Sequence, residues 1–135
     1  MDRVFVDSDS MLDLLDEKHP YSEDAGRLFS RADQKRLKLM VSSLSFSNIH
    51  YVLRKRYAGD ESRKLLSRFK VLVQVLAVDD KIIELALSSS FGDFEDAIQY
   101  YTAIENKASV IITRNLKDYK FSSIPVMTAE SYMKV

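Results

Sequence analysis

The sequence predicts an α/β fold in which parallel strands are joined by crossover helices. Short runs rich in β-branched residues alternate along the chain with longer stretches of helical period. The run over 110–113, Val-Ile-Ile-Thr, is nearly all apolar, as is typical of a parallel strand covered on both faces. With 46% hydrophobic residues, three glycines and two prolines, the composition is that of a helix-rich globular protein.

Length and composition also bound the class of protein. A chain of 135 residues suits one domain, and we expect a single domain over 1–135. The absence of cysteine excludes disulfide scaffolds, thiol catalysis and cysteine-ligated zinc. No apolar run approaches the ~20 residues of a membrane span, and the first apolar stretch is interrupted too early for a signal peptide. We therefore expect a soluble cytoplasmic protein with no membrane partner.

Hydrophobic spacing and glycine or proline breaks define the elements in the first half of the chain. Ala25, Leu28 and Phe29 recur at helical spacing and should face inward on the second helix. The pair His19-Pro20 should end the first helix, because the residue before a proline avoids the α conformation. In order, we predict a strand over 3–6, helices over 10–16 and 22–35, a strand over 37–42, and helices over 46–57 and 61–69.

The second half continues the alternation of strands and helices. Its best-marked helix covers 93–106 and places Ala97, Tyr101 and Ile104 on one face. In order, we predict a strand over 71–78, a helix over 81–87, a loop over 88–92, the helix over 93–106, a strand over 110–113, a turn from 114, a short strand around 126 and a helix from 129.

Carboxylates and amides lie where these elements meet. Asp7 directly follows the first strand, Asp93 and Asp96 lie at the start of a helix, and Asn115 and Asp118 follow the fourth strand. Sites in open parallel sheets form beyond the carboxyl ends of the strands, so these groups converge if the first and fourth strands are neighbours. Oxygen-only clusters suit Mg²⁺ or Mn²⁺. Each acid taken alone fits a helix cap as well, so the prediction depends on their joint placement.

The same segments resemble the PIN-domain ribonucleases, in particular the VapC-like toxins of bacterial type II toxin–antitoxin pairs. Residues 5–15, FVDSDSMLDLL, are similar to the opening motif D-(T/S)-(N/D)-x-x-L-x-L-L. Residues 93–99, DFEDAIQ, resemble the helix motif D-x-x-D-A, and residues 112–119, ITRNLKDY, resemble the closing segment T-(R/N)-(D/N)-x-x-D-(F/Y). The resemblance implies a three-layer α/β/α PIN-like domain with a central parallel sheet of four to five strands.

The resemblance further implies a metal-dependent endoribonuclease with Mg²⁺ or Mn²⁺ as cofactor. The cation would orient a water, lower the pKa of that water and stabilise charge on the scissile phosphate. The implied catalytic positions are Asp7, Asp96, Asn48 and Asn115, the implied metal ligands are Asp7, Asp96, Asp93 and Asp118, and the supporting hydroxyls, for water or phosphate, are Ser8 and Thr113.

Two amides depart from the family pattern. Asn48 stands where the family usually carries a glutamate, and Asn115 stands where many members have an aspartate. An amide oxygen can coordinate a hard cation but brings no charge, so we expect weaker metal affinity, which favours one bound ion over two. The alternative function is a catalytically weakened PIN-like module that binds RNA or a protein partner.

The net charge of zero conceals two regions of opposite charge. Residues 54–70 carry seven basic and two acidic side chains, and residues 79–105 carry seven acidic side chains and one basic. The first region could bind an RNA backbone, although a charged, solvated helix face fits as well. Its candidate RNA contacts are Arg54, Lys55, Arg56, Arg63 and Lys64. The resemblance also implies a cognate antitoxin protein and a homodimer.

Aromatic and histidine side chains carry weaker signals. Tyr100, Tyr119 and Phe121 could stack on unpaired bases, but packing in the core or at its rim is favoured for each. The two histidines, His19 and His50, support no Ser-His-Asp arrangement.

Overall fold

A parallel sheet forms the centre of the structure. The computed structural model of the protein describes residues 1–15 and 22–134. Within them, five strands pair in the order β3-β2-β1-β4-β5, and every pairing is parallel. The strands are β1 (Asp2–Val6), β2 (Leu37–Ser42), β3 (Gln74–Leu76), β4 (Val110–Ile112) and β5 (Val126–Met127). The predicted parallel sheet is confirmed. The first and fourth strands are neighbours, which is the condition under which the acids that follow them converge.

Helices connect the strands and follow the last of them. In chain order they are α1 (Ser8–Leu15), α2 (Ser22–Asp33), α3 (Ser43–Leu53), α4 (Glu61–Lys70), α5 (Asp80–Leu87), α6 (Phe94–Glu105) and α7 (Ala129–Met133), with a short 3-10 helix (Leu116–Tyr119) after β4. Among the described residues, no helix is long and apolar enough to cross a bilayer. The predicted end of the first helix at His19-Pro20 lies outside the described residues.

Alternation along the strands divides the core between two layers of helices. Val4 and Val6 of β1 belong to a buried cluster with side chains of α1, α2, α3 and α4. Phe5 points to the opposite face and belongs to a second cluster with Tyr100 and Ala103 of α6. Because successive side chains of a strand point to opposite faces, both faces of β1 are covered. The three-layer α/β/α architecture is confirmed.

Two predicted elements differ from the observed ones by three or more residues at one end or both. The strand predicted over 71–78 is only Gln74–Leu76, because the chain turns first: Leu72 N–H donates to the Phe69 carbonyl at 3.0 Å. The helix predicted over 46–57 begins at Ser43 and ends at Leu53. It begins earlier because the Ser42 hydroxyl accepts from Ser45 N–H and caps its first turn.

Helix α6 buries a wider face than the hydrophobic spacing of its sequence predicts. Ala97 is buried, but Tyr101 and Ile104 are only partly buried, and the most covered side chains include Thr102 and Ala103. The physical reason is a second partner: α6 packs on the sheet and also on α5. A helix with two partners buries more than one stripe of side chains.

Truncation of Phe69 is expected to lower the free energy of unfolding. The Phe69 ring is buried between Phe29 and Phe46, at centroid distances of 5.3 and 6.0 Å. Phe69→Ala leaves a cavity there and should cost about 3–5 kcal/mol, measured by urea unfolding.

Val71→Ala is the matched control, because Val71 lies two residues away and is 83% exposed. Its effect should stay within about 0.5 kcal/mol. A similar loss in the two variants would contradict the position of Phe69 in the core.

Candidate functional site

The order of the strands reverses between β1 and β4. From β1 the chain adds β2 and then β3 on one side, and afterwards crosses to add β4 and β5 on the other. Asp7 follows β1 and Thr113 follows β4, so both lie at the carboxyl end of this switch. Asp7 N–H donates to the Ile112 carbonyl at 3.2 Å, and the Thr113 hydroxyl donates to Asp7 Oδ2 at 2.5 Å. Crevices at such points are the usual binding sites of open α/β sheets.

The carboxylate of Asp7 is buried and held by hydrogen bonds to both oxygens. Asp7 is 6% exposed, and its Oδ1 accepts from Ser10 N–H at 3.0 Å, which caps α1. Burial raises the pKa of Asp7 from 3.8 to about 6, although the bonds from Thr113 and Ser10 lower it. These hydrogen bonds therefore orient the ionised carboxylate of Asp7, but they offset only part of the free-energy cost of burying its charge.

Asp96 lies in the first turn of α6 among further acids. The helix is capped by Asp93, whose Oδ1 accepts from Asp96 N–H at 3.0 Å. Burial and then the charges of Asp93, Asp118, Asp7 and Glu95 raise the pKa of Asp96 from 3.8 to about 7. These carboxylates are therefore close enough to repel one another, and a cation would relieve that repulsion.

Each of the two amides donates to an acid that sequence reasoning missed. Asn48 Nδ2 donates to Glu95 Oε1 at 2.9 Å, and Asn115 Nδ2 donates to Asp9 Oδ2 at 3.1 Å. Burial, followed by the charges of Asp93 and Asp9, raises the pKa of Glu95. The available signal was proximity in sequence, since Asp9 is two residues from Asp7 and Glu95 is adjacent to Asp96.

A buried polar network joins the helices that carry these groups. Gln99 Nε2 donates to Ser8 Oγ at 3.1 Å and to Ser45 Oγ at 3.0 Å. Ser45 Oγ also shares hydrogen bonds with Ser8 Oγ at 2.9 Å and with Ser42 Oγ at 3.2 Å. Sequence reasoning missed Gln99, which is 2% exposed and lies three residues after Asp96 on the same side of α6. The network links the first turns of α1 and α3 to α6.

Comparisons with known proteins identify the family of this chain. The PIN-domain family model matches residues 3–117. The chain belongs to the PIN-domain family. A comparison with curated proteins finds no match.

Solved structures share the fold of this PIN domain at low sequence identity. DNA-bound VapBC from Salmonella typhimurium has a TM-score of 0.69 and 17% identity, over 96% of this chain and 99% of that one. FitAcB from Neisseria gonorrhoeae has a TM-score of 0.71 and 12% identity, over 94% and 98% of the two chains. VapC20 of Mycobacterium tuberculosis, a toxin that cleaves the sarcin-ricin loop, has a TM-score of 0.65 and 18% identity, over 80% and 86%.

The donor atoms of the PIN-domain site suit a hard cation. The site offers carboxylate and amide oxygens, which favour Mg²⁺ or Mn²⁺ over softer metals. Among the described residues, no three Asp, Glu or His side chains are arranged as ligands of one ion. Magnesium is commonly held by one or two carboxylates together with water and substrate phosphate. The pair Asp7 and Asp96 fits that mode of binding.

The basic residues of the PIN domain lie on its surface near the end of α3. Arg54, Lys55 and Arg56 follow α3, Arg63 and Lys64 lie on α4, and all five are exposed. The Arg54 guanidinium and the Lys55 ammonium each lie 4.7 Å from the ring centroid of the exposed Tyr51. The first turns of α3 lie beside the acidic site, since Asn48 contacts Glu95. One helix therefore connects the acidic site to the basic surface.

The three candidate stacking residues divide between the core and the surface. Tyr100 and Tyr119 are buried with Phe5 and Ile111, which confirms core packing for both. Phe121 is exposed. Of the three rings, only that of Phe121 is open to a nucleic-acid base.

Replacing Asp7 with Asn is expected to stabilise the metal-free protein. Because burial raises the pKa of Asp7 from 3.8 to about 6, the folded state holds the carboxyl proton more tightly than the unfolded state. Ionisation therefore destabilises the fold progressively between about pH 4 and pH 6. Asp7→Asn should gain little at about pH 4 and on the order of 1–3 kcal/mol above about pH 6. Urea unfolding in EDTA measures the gain.

Asp79→Asn is the control for this substitution. Asp79 caps α5 through Ile82 N–H at 3.0 Å, and asparagine caps a helix about as well. Its effect on the free energy of unfolding should be small. The interpretation of Asp7 is contradicted if Asp7→Asn is no more stable than the wild type at about pH 8.

Proposed function

We propose that this PIN domain is a metal-dependent endoribonuclease that hydrolyses phosphodiester bonds of RNA, and that it is the toxin of a type II toxin–antitoxin pair. The observation that carries the proposal is the carboxylate pair Asp7 and Asp96 beside the β1–β4 switch, with pKa values raised to about 6 and about 7. Membership of the PIN-domain family and the fold shared with VapC20 support it.

The residues of the site divide into ligands, orienting groups and charge-balancing groups. Asp7 and Asp96 would hold Mg²⁺ or Mn²⁺, which supplies an activated water and stabilises charge on the phosphate. The Thr113 hydroxyl and Ser10 N–H hold the Asp7 carboxylate in place. Asn48 and Asn115 donate to neighbouring acids and so reduce repulsion around the pair.

Partners of the toxin are part of the same proposal. The fold shared with VapBC and FitAcB supports a cognate antitoxin protein as partner. RNA would bind the exposed basic residues at the end of α3 and on α4 through its phosphates. We further propose a homodimer that acts in the cytoplasm.

Loss of either carboxylate is expected to abolish cleavage. Wild-type protein with Mg²⁺ or Mn²⁺ should cleave structured RNA, and Asp7→Asn and Asp96→Asn should each lower the rate by about 100-fold or more, because each removes a metal ligand. Asp79→Asn, in the cap of α5, should cleave like the wild type.

Cleavage in EDTA, or cleavage that persists unchanged in Asp7→Asn and Asp96→Asn, would indicate a contaminating nuclease and overturn the proposal. The rates are measured on a labelled RNA under single-turnover conditions.

A second candidate function is a catalytically weakened PIN module that binds RNA or a protein partner. The observation that favours it is that uncharged amides stand at two positions of the site. Asn48 and Asn115 donate N–H groups to Glu95 and Asp9. Calorimetric titration with Mn²⁺ separates the two functions. Binding together with cleavage supports the nuclease, and the absence of binding at millimolar Mn²⁺ supports the weakened module.

Neutralising the basic surface is expected to weaken RNA binding more than the chemical step. The double variant Arg54→Gln/Lys55→Gln should raise KM for RNA several-fold, leave kcat near the wild-type value and reduce the salt dependence of binding, because two phosphate contacts are lost.

The charge-matched control is Arg36→Gln/Lys38→Gln, at the amino-terminal end of β2, where both side chains are exposed. The strands of a parallel sheet all start at the edge opposite their carboxyl ends, so this pair lies away from the site. An equal rise in KM for both double variants would show a general charge effect and not a specific RNA contact.

A further inference from the structure

Tyr119 carries a buried hydroxyl without a partner. It ends the 3-10 helix and is 2% exposed. Its hydroxyl has no hydrogen-bond partner among residues 1–15 and 22–134. Buried hydroxyl groups almost always have a partner, because leaving one unpaired is costly. We therefore expect the Tyr119 hydroxyl to donate to an acceptor other than the groups of residues 1–15 and 22–134.

The surroundings of Tyr119 place it beside the acidic site. Its ring belongs to a cluster with Phe5, two residues before Asp7, and with Tyr100, one helical turn after Asp96. It therefore packs against β1 and α6. Burial is the main cause that raises the pKa of its phenol, and the charges of Asp7, Asp96, Asp118 and Glu95 raise it further, in that order. No direct hydrogen bond from the phenol reaches either carboxylate.

A second tyrosine in the same cluster, Tyr100, differs from Tyr119 in that its hydroxyl is hydrogen-bonded. Tyr100 is also buried, and its hydroxyl accepts from Ser123 N–H at 2.9 Å and shares a hydrogen bond with Ser123 Oγ at 3.1 Å. Both rings pack against Phe91, at centroid distances of 5.1 Å for Tyr100 and 6.3 Å for Tyr119. Of these two neighbouring tyrosines, Tyr100 has its hydroxyl bonded by the protein, and Tyr119 has an unpaired hydroxyl that the charges of the nearby acids influence.

We propose that Tyr119 is a positioning residue of the site, whose hydroxyl donates a hydrogen bond to a water held between the carboxylates of Asp7 and Asp96. The proposal rests on the proposed metal-dependent function. A water in that place has one donor and two carboxylate acceptors, which matches the three hydrogen bonds typical of buried water. Through that water, the phenol would orient the two carboxylates toward a bound cation.

Tyr119→Phe removes only the hydroxyl and is the test, with Tyr100→Phe as matched control. Replacing a group that hydrogen-bonds to the ligands of a metal typically lowers metal affinity or activity by about 10- to 100-fold. Tyr119→Phe should therefore weaken Mn²⁺ affinity at least about tenfold and lower kcat for RNA cleavage by about the same factor, with KM for RNA unchanged. Its urea midpoint in EDTA should equal that of the wild type.

The control should show the opposite pattern. Tyr100→Phe loses two hydrogen bonds to Ser123, so its urea midpoint should fall, while Mn²⁺ affinity and kcat stay within about twofold of the wild type. Calorimetry on the metal-free proteins gives the affinities independently of cleavage.

Four outcomes separate this proposal from the proposed function. Wild-type Mn²⁺ affinity in Tyr119→Phe overturns the role of Tyr119 alone, as does a fall in its urea midpoint equal to that of Tyr100→Phe. If the wild type binds Mn²⁺ without cleaving RNA, the nuclease is overturned, and the affinities still decide the role of Tyr119. If the wild type does not bind Mn²⁺, both proposals are overturned.

Discussion

Strand β1 pairs in parallel with β2 on one side and with β4 on the other, and the chain crosses between the two halves of the sheet at this point. The residues that follow β1 and β4 are therefore brought together, although they are 106 positions apart in the chain. An ion pair lies nearby, between Arg114 Nε and Asp13 Oδ2 of α1 at 2.9 Å. The position of the candidate site is thus a consequence of strand order, as in other open parallel sheets.

Electrostatic repulsion is the cost of this arrangement. Asp7 caps α1, and Asp93 and Asp96 begin α6, so the positive ends of two helices offset part of the negative charge. The side-chain amides of Asn48 and Asn115 also donate hydrogen bonds to neighbouring carboxylates. The remaining repulsion and burial raise the pKa values of Asp7 and Asp96 to about 6 and about 7. Sites that bind cations commonly retain such local destabilisation.

Buried polar groups support the carboxylates from behind. Gln99 bridges Ser8 and Ser45, so the first turns of α1 and α3 are fixed relative to α6 by hydrogen bonds and not by apolar contacts alone. Hydrogen bonds are directional, so they restrict how these turns can shift. Tyr119 packs against β1 and α6, and its buried hydroxyl is without a partner among the described residues. The helices that carry the acids are thus joined by the polar contacts of Gln99, and the aromatic cluster of Tyr119 also includes residues of β1 and α6.

The sequence by itself determined the order of the elements and indicated Asp7 and Asp96 as candidate metal ligands. Strand β2 was predicted with its observed bounds, and Asp7 and Asp96 were selected because they follow a strand or begin a helix, which are local patterns in the chain. Only the tertiary structure paired Asn48 with Glu95 and Gln99 with Ser8, which are separated by 47 and 91 positions. Hydrophobic period and capping are set by neighbours within one turn or one strand. A buried hydrogen bond between distant helices depends on how those helices pack, and no spacing in the sequence encodes it.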